Sequence, residues 1–278
     1  MVVLSRKPQS SGSVKAVPWD GKNLGEWVAS LSGAKALINL AGKRIDCALT
    51  AENRKEILQS RLDAIGTLHR AIRESFNPPK VFVQAGAMGY FGDTKEKKIK
   101  EDHPPGNDFF SRVASTYENQ FIQDSAPATT RKVVLRISFA LFKDGGILPK
   151  FESLVKGYLG GTQGTGDQFI CWSHIFDIAR CFHWVIENEK ARGIYNLCSP
   201  NPVQNRHFMK ALRTVLGNQL GLPLPAHIIK LALHYALKTD PLLLLGGRNA
   251  SSVRLKEEGF IFSHPYIKEA LEDIYHEL

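Results

Sequence analysis

The feature that most limits what this chain can become is a regular exchange between two hydrophobic patterns. Short β-branched or apolar runs at Val2–Leu4, Ala36–Leu40, Val81–Val83, Val133–Ile137 and Ile194–Leu197 alternate with longer stretches whose apolar residues recur every three or four positions. A short, nearly continuous apolar run fits a strand buried on both faces, and such a strand needs helices above and below it. The order of elements therefore predicts an α/β fold, with a parallel sheet covered by helices.

The clearest helix is predicted over 51–75, where Ile57, Leu58, Leu62, Ile65, Leu68 and Ile72 form one apolar stripe. Thr50 is placed to cap its first turn, and Asn77-Pro78-Pro79 ends it. Further helices are expected over 23–31, 108–122, 147–156 and, capped by Ser173, to about 188. A glycine cluster runs from Gly157 to Gly166. Its tail, Gly161-Thr162-Gln163-Gly164-Thr165-Gly166, imitates a phosphate loop, yet it follows a helix and precedes a strand, the reverse of a dinucleotide fingerprint. A turn or a substrate-side hairpin is expected there. The last part of the chain reads as mostly helical, which suggests a main domain over 1–220 and a small helical lobe over 221–278.

With 278 residues and 43% hydrophobic content the chain can bury one large core. Its 36 Lys and Arg against 27 Asp and Glu leave a net charge of +9, which suits an anionic ligand. The positive charges are dispersed, as at Lys95, Lys97, Lys98 and Lys100, without aromatic residues between them, so a small-molecule substrate is expected and a nucleic acid is not. Cys47, Cys171, Cys181 and Cys198 show no C-x-x-C pair and no histidines at zinc spacing, so no metal is expected. No apolar run approaches the roughly 20 residues of a membrane span. With no leader pattern visible, the cytoplasm is the expected compartment.

Five segments then occur together in order: Val2-Val3-Leu4-Ser5-Arg6-Lys7-Pro8, Ile38-Asn39-Leu40-Ala41-Gly42, Ser60-Arg61, Gly89-Tyr90-Phe91-Gly92-Asp93 and Trp172-Ser173-His174-Ile175-Phe176-Asp177. In this the chain resembles the atypical epimerase-like family of the extended short-chain dehydrogenase/reductases, and Leu244-Leu245-Gly246-Gly247-Arg248 extends the likeness into the C-terminal part. The resemblance implies a Rossmann-type doubly wound parallel sheet and an NADP-linked oxidoreductase or epimerase-like activity. In that fold the end of the second strand meets the adenosine ribose, where a carboxylate favours NAD and a positive group receives the 2′-phosphate of NADP. Here the strand ends in Ser5 and Arg6, a hydroxyl beside a planar fork of donors. Leu40 and Ala41 stand at the carboxyl end of a buried strand, where a backbone can approach adenine and ribose. The resemblance also places Glu56, Arg61 and Ala140 near the cofactor.

The chain departs from the family pattern in two ways. An active short-chain dehydrogenase pairs a tyrosine with a lysine four residues later, because the ammonium lowers the phenol pKa. No tyrosine here has that partner: Phe110 and Ala114 occupy the two positions, and Gln84-Ala85-Gly86-Ala87-Met88 carries no serine or threonine to polarise a substrate oxygen. Tyr90 is left as a substitute acid or as a pocket wall, and the catalytic residues stay unknown. His174 and Asp177 read as a helix start facing the cleft. Secondly, the sequence opens at the family's second strand, so the first strand and its Gly-rich turn are expected to be missing, which implies a shortened chain or weakened cofactor binding. A non-catalytic, nucleotide-responsive or partner-binding scaffold is therefore the alternative to an enzyme.

Overall fold

The computed structural model describes residues 1–236 and 240–276. In chain order its main elements are β1 (Val2–Ser5), β2 (Lys15–Pro18), β3 (Ala36–Asn39), α1 (Ala51–Glu74), β4 (Val81–Ala87), α2 (Phe109–Gln123), β5 (Arg131–Ile137), β6 (Phe139–Phe142), α3 (Leu148–Lys156), β7 (Trp172–His174), α4 (Ile175–Glu187), β8 (Gly193–Leu197), α5 (Asn205–Val215) and α6 (Ile267–His276). Four strands form one wholly parallel sheet in the order β8-β5-β4-β3. Helices α1, α2 and α4 lie between consecutive members, so the expected α/β architecture is present.

Alternation along the central strands assigns their faces. Phe82 and Val134 turn to a cluster built with Ile57, Ile65 and Leu68 of α1 and Val113, Tyr117 and Phe121 of α2. Val81, Val83, Val133 and Leu135 turn the other way, onto Ile178, Cys181 and Val185 of α4 together with Leu255 and Phe260. A third cluster joins Phe151 of α3, Phe208 and Leu212 of α5, and Ala270, Leu271 and Ile274 of α6. Residues beyond 221 thus enter cores shared with the preceding chain. Positions 237–239 and 277–278 of the predicted helical lobe lie outside the described residues.

Helix α1 begins where predicted: the Thr50 hydroxyl accepts the Asn53 N–H at 3.2 Å. Helix α2 is capped by Asp108, which accepts the Ser111 N–H at 3.0 Å. Two expectations are corrected, and one strand is added. The helix over 23–31 shrinks to a 3-10 stretch, Glu26–Leu31. The Asn23 carbonyl is taken by the indole N–H groups of Trp19 and Trp27, at 3.2 and 3.1 Å, so the chain wraps two rings where a helix would have begun. The cap of α4 is His174 and not Ser173, because Ser173 is still in a strand, paired with Ala140; Nδ1 of His174 accepts the Phe176 N–H at 3.2 Å. Finally, β2 is a strand with no counterpart in the sequence reading.

Strand β1 pairs in parallel with β2 and, among the described residues, with no other strand. The two-stranded ribbon is nevertheless part of the main body, since Leu4 and Val17 pack into the same cluster as Leu37 and Ala41. Val2 and Val3 remain 43% and 39% exposed. The glycine-rich segment is a turn zipped onto the C-terminal part: Gly161 donates to Leu222 O at 3.0 Å and Leu224 donates to Thr162 O at 2.8 Å. A Cβ at Gly161 would stand 2.6 Å from the Gly221 and Leu222 carbonyl oxygens, which explains a glycine at that position.

Candidate functional site

Because β3, β4, β5 and β8 run in parallel, their carboxyl ends open on one edge, where ligands bind in sheets of this kind. Asn39 ends β3, is buried, and donates to Gln84 Oε1 at 2.8 Å across to β4. Its own Oδ1 accepts the Ala41 N–H at 3.0 Å. This buried amide pair fixes the turn that follows, leaving Leu40 70% exposed at the strand end.

That turn is tied to α1. Arg61 Nη1 donates to the carbonyls of Lys43 and Ile57, at 3.1 and 2.7 Å, and the Lys43 N–H reaches Ser60 Oγ at 2.9 Å. Glu56 forms an ion pair with Lys43 on the surface. A Cβ at Gly42 would lie 3.0 Å from the Arg61 guanidinium carbon, so the backbone there is pressed against that side chain. Burial lowers the Arg61 pKa from its ordinary value. The structure thus gathers Leu40, Ala41, Glu56 and Arg61 into one corner. Ser5 and Arg6 end the separate strand β1, where the Ser5 hydroxyl accepts the Lys7 N–H at 3.1 Å. No described hydrogen bond or ion pair engages the Arg6 side chain. Ala140 lies on β6 opposite Ser173, away from that corner in the hydrogen-bond pattern.

Behind the β4 end sits an ion pair that sequence reading missed. Arg136 Nε donates to Glu118 Oε2 at 3.0 Å, with both side chains almost wholly buried. The guanidinium also donates to Glu101 O at 2.9 Å and lies 3.5 Å from the centre of the Tyr90 ring. Gly86 makes room for it, since a Cβ there would meet Glu118 Oε1 at 2.7 Å. Burial outweighs the nearby guanidinium and raises the Glu118 carboxyl to about 7. Tyr90 is thereby a stacking wall over Arg136. Phe110 and Ala114 of α2 are buried, at 6% and 2% exposure.

His174 and Asp177 anchor the C-terminal part to α4. The Asp177 carboxylate accepts the N–H groups of Ser263 and His264, at 2.8 and 2.9 Å. His174, His264 and Asp273 bring possible ligand atoms within 4.8 Å of one another. However, His174 Nδ1 is occupied as the helix cap, which in a neutral ring leaves the proton on Nε2, 3.2 Å from Asp273. That arrangement serves a histidine–carboxylate contact better than a metal.

The chain is 32% identical over 251 residues to the chloroplastic "Epimerase family protein SDR39U1 homolog" of Arabidopsis thaliana, covering 90% of this chain and 71% of that one. It is 31% identical over 243 residues to the mouse "Epimerase family protein SDR39U1", covering 86% and 81%. The chain belongs to the SDR39U1 epimerase family. Residues 224–274 match a domain of unknown function, DUF1731. The crystal structure of human SDR39U1 (isoform 2) with NADPH superposes with a TM-score of 0.86 at 29% identity, covering 99% of this chain and 90% of that one. A nucleoside-diphosphate sugar epimerase from Corynebacterium glutamicum shares the fold, with a TM-score of 0.74 at 23% identity, covering 95% of this chain and 53% of that one. The parallel sheet is therefore the Rossmann-like sheet of extended epimerases. No helix among the described residues is long and apolar enough to cross a membrane.

Proposed function

We propose that this family member binds NADP(H), with Ser5 and Arg6 receiving the 2′-phosphate and Leu40, Ala41, Glu56 and Arg61 forming the adenosine-side wall. In this reading it acts as an oxidoreductase or epimerase-like enzyme on a small molecule, without the usual serine, tyrosine and lysine. The observation that carries the reading is Arg6, a guanidinium at the carboxyl end of a parallel strand that no described partner occupies. The human relative's complex with NADPH supports it. So does the donor chemistry: the close packing of Gly42 on Arg61 and the Asn39–Gln84 pair hold the 40–42 backbone where small residues let a nucleotide approach. When bound, NADP(H) supplies or accepts a hydride. The chain's own residues orient it: Arg6 by charge-assisted hydrogen bonds and Leu40 by an exposed apolar surface. Ala140 is assigned to the nicotinamide side. The four cysteines are free thiols, which suits a reducing compartment such as the cytoplasm.

A second reading, a nucleotide-responsive scaffold without turnover, is favoured by one observation: Phe110 and Ala114 are committed to packing. Both readings require the nucleotide. Titration by nicotinamide fluorescence is expected to show NADPH binding more tightly than NADH, and Arg6→Ala is expected to weaken NADPH roughly tenfold or more while leaving NADH unchanged. Equal loss for both nucleotides, or no loss, would remove Arg6 from the phosphate. Transfer of deuterium from labelled NADPH to any of a panel of sugar nucleotides would favour the enzyme over the scaffold.

A further inference from the structure

The residue in this molecule whose chemistry is least accounted for is Arg248. It follows Gly247 in the segment that closes against the glycine-rich turn, with its N–H donating to Phe169 O at 2.8 Å and Gly247 N–H donating to Asp93 Oδ1 at 3.0 Å. A Cβ at Gly247 would lie 2.9 Å from Phe169 N, so the backbone is held tightly and the side chain is directed by the fold. Arg248 is only 8% exposed. Its Nε is buried with no hydrogen-bond partner, and no described residue accepts a hydrogen bond from the guanidinium or pairs with it as an ion.

A guanidinium does not deprotonate in proteins, and a buried Nε–H left without an acceptor is costly. Other buried arginines of this chain show what a structural role looks like. Arg136 has Glu118 and the Glu101 carbonyl, and Arg131 donates to the carbonyls of Ala191, Val185 and Ile186. Arg248 has nothing comparable. The carboxylates that exert the most electrostatic influence on it are Asp108 and Asp93, and both are engaged elsewhere. Asp108 caps α2 and accepts the Ser111 hydroxyl at 2.6 Å; Asp93 accepts the N–H groups of Lys95 and Gly247. Burial lowers the Arg248 pKa from its ordinary value, against the raising influence of those carboxylates.

We infer that Arg248 is an anion receptor, and that the natural ligand of the cleft presents a phosphate or carboxylate group to it. Asp108, the carboxylate that acts on it most strongly, starts the helix that carries Phe110 and Ala114, so the anion would be held on the side of the positions where short-chain dehydrogenases react. Arg248 is then a specificity-determining residue that orients an acidic substrate by bidentate hydrogen bonding. The assignment of that substrate to the same cleft as the nucleotide rests on the proposed function; the anion site itself does not.

The test separates the two. With NADPH present at saturation to fill any nucleotide phosphate site, inorganic phosphate and, separately, malonate are titrated while the melting temperature is followed. Wild type is expected to gain about 2 °C or more with one of the two anions, and which one responds identifies the group. Arg248→Met, which keeps the stem but removes the charge, is expected to melt higher than wild type without added anion and to lose the response. Arg248→Lys is expected to retain part of it. A lower melting temperature for Arg248→Met without anion, or an anion response equal to that of wild type, would overturn the inference by making Arg248 structural or irrelevant. The NADPH titration, read by fluorescence on the same samples without anion, is expected to be unchanged in Arg248→Met; failure of NADPH to bind wild type would count against the proposed function alone.

Discussion

Replacing Arg136 by methionine is expected to destabilise the protein by about 3–5 kcal/mol at about pH 8, and by clearly less at about pH 5.5. The guanidinium stands 3.0 Å from the Glu118 carboxylate, with both side chains nearly inaccessible to water. Removing it strands a buried negative charge whose second oxygen, Oε1, already has no partner. The pH dependence follows from the raised carboxyl. Its folded-state value of about 7 lies above its ordinary 4.5. Between those two values the folded chain therefore holds a proton that the unfolded chain has released. The stability this group contributes is full below the lower value and is lost as pH rises through the upper one. Without Arg136 the carboxyl rises further and the window widens upward, so acidification rescues the variant by neutralising the stranded group. Urea unfolding at the two pH values, compared at constant slope, measures the difference. Adding Glu118→Leu to Arg136→Met is expected to restore most of the loss at the higher pH, since the apolar pair leaves no charge behind. A cost equal at both pH values would mean that lost packing on Tyr90 and Phe91, not the charge, dominates.

This ion pair also shows where sequence reading stops. Patterns that depend on neighbours along the chain were legible. The stripe from Ile57 to Ile72 and the Thr50 cap specify α1 locally, and the β-branched runs of β4 and β5 reveal their burial. The motifs that carry the family likeness are contiguous too, so Ser5, Arg6, Leu40, Ala41 and Arg61 could be named as candidates from the sequence alone. What was missed depends on distant partners. Asn39 finds Gln84 45 positions away, and Arg136 finds Glu118 across a helix–strand contact. Arg248 is informative only because nothing pairs with it, which no linear pattern reveals. The failure over 23–31 has a similar cause: Leu24, Trp27, Val28 and Leu31 have helical spacing, but Trp19 and Trp27 both donate to the Asn23 carbonyl and their tilted rings meet with centroids 5.2 Å apart. Strand β2 is four residues long and is held by parallel pairing to β1, a signal that its own composition barely carries. Strand β1 has β2 on one side and no described strand on the other.

The other large effect concerns whether a tyrosine–lysine pair can be placed at positions 110 and 114. Ala114 is 2% exposed within the cluster formed by α1 and α2. An ammonium placed there loses its water without gaining a counter-charge, and burial of this kind depresses a lysine pKa by roughly 3–5 units. Ala114→Lys is therefore expected to cost about 4 kcal/mol near neutral pH, at about 1.4 kcal/mol per unit between that pH and the ordinary lysine value. Here the folded value falls below the unfolded one, so the penalty is greatest at low pH and fades as pH rises, leaving about 1 kcal/mol at roughly pH 9.5. Ala114→Met supplies a control of similar length. It adds overpacking of about 1–3 kcal/mol that does not depend on pH. Urea unfolding of both variants from pH 7 to 9.5 separates charge from volume. The expected result is a lysine variant that converges on the methionine variant as pH rises, and Phe110→Tyr combined with it is expected to yield no NADPH oxidation. A lysine variant as stable as the methionine variant at pH 7, with no pH dependence, would show that position 114 faces water in an open cleft. In that case α2 has kept the geometry of a working short-chain dehydrogenase and lost only its side chains, and the scaffold reading would lose the observation that favours it.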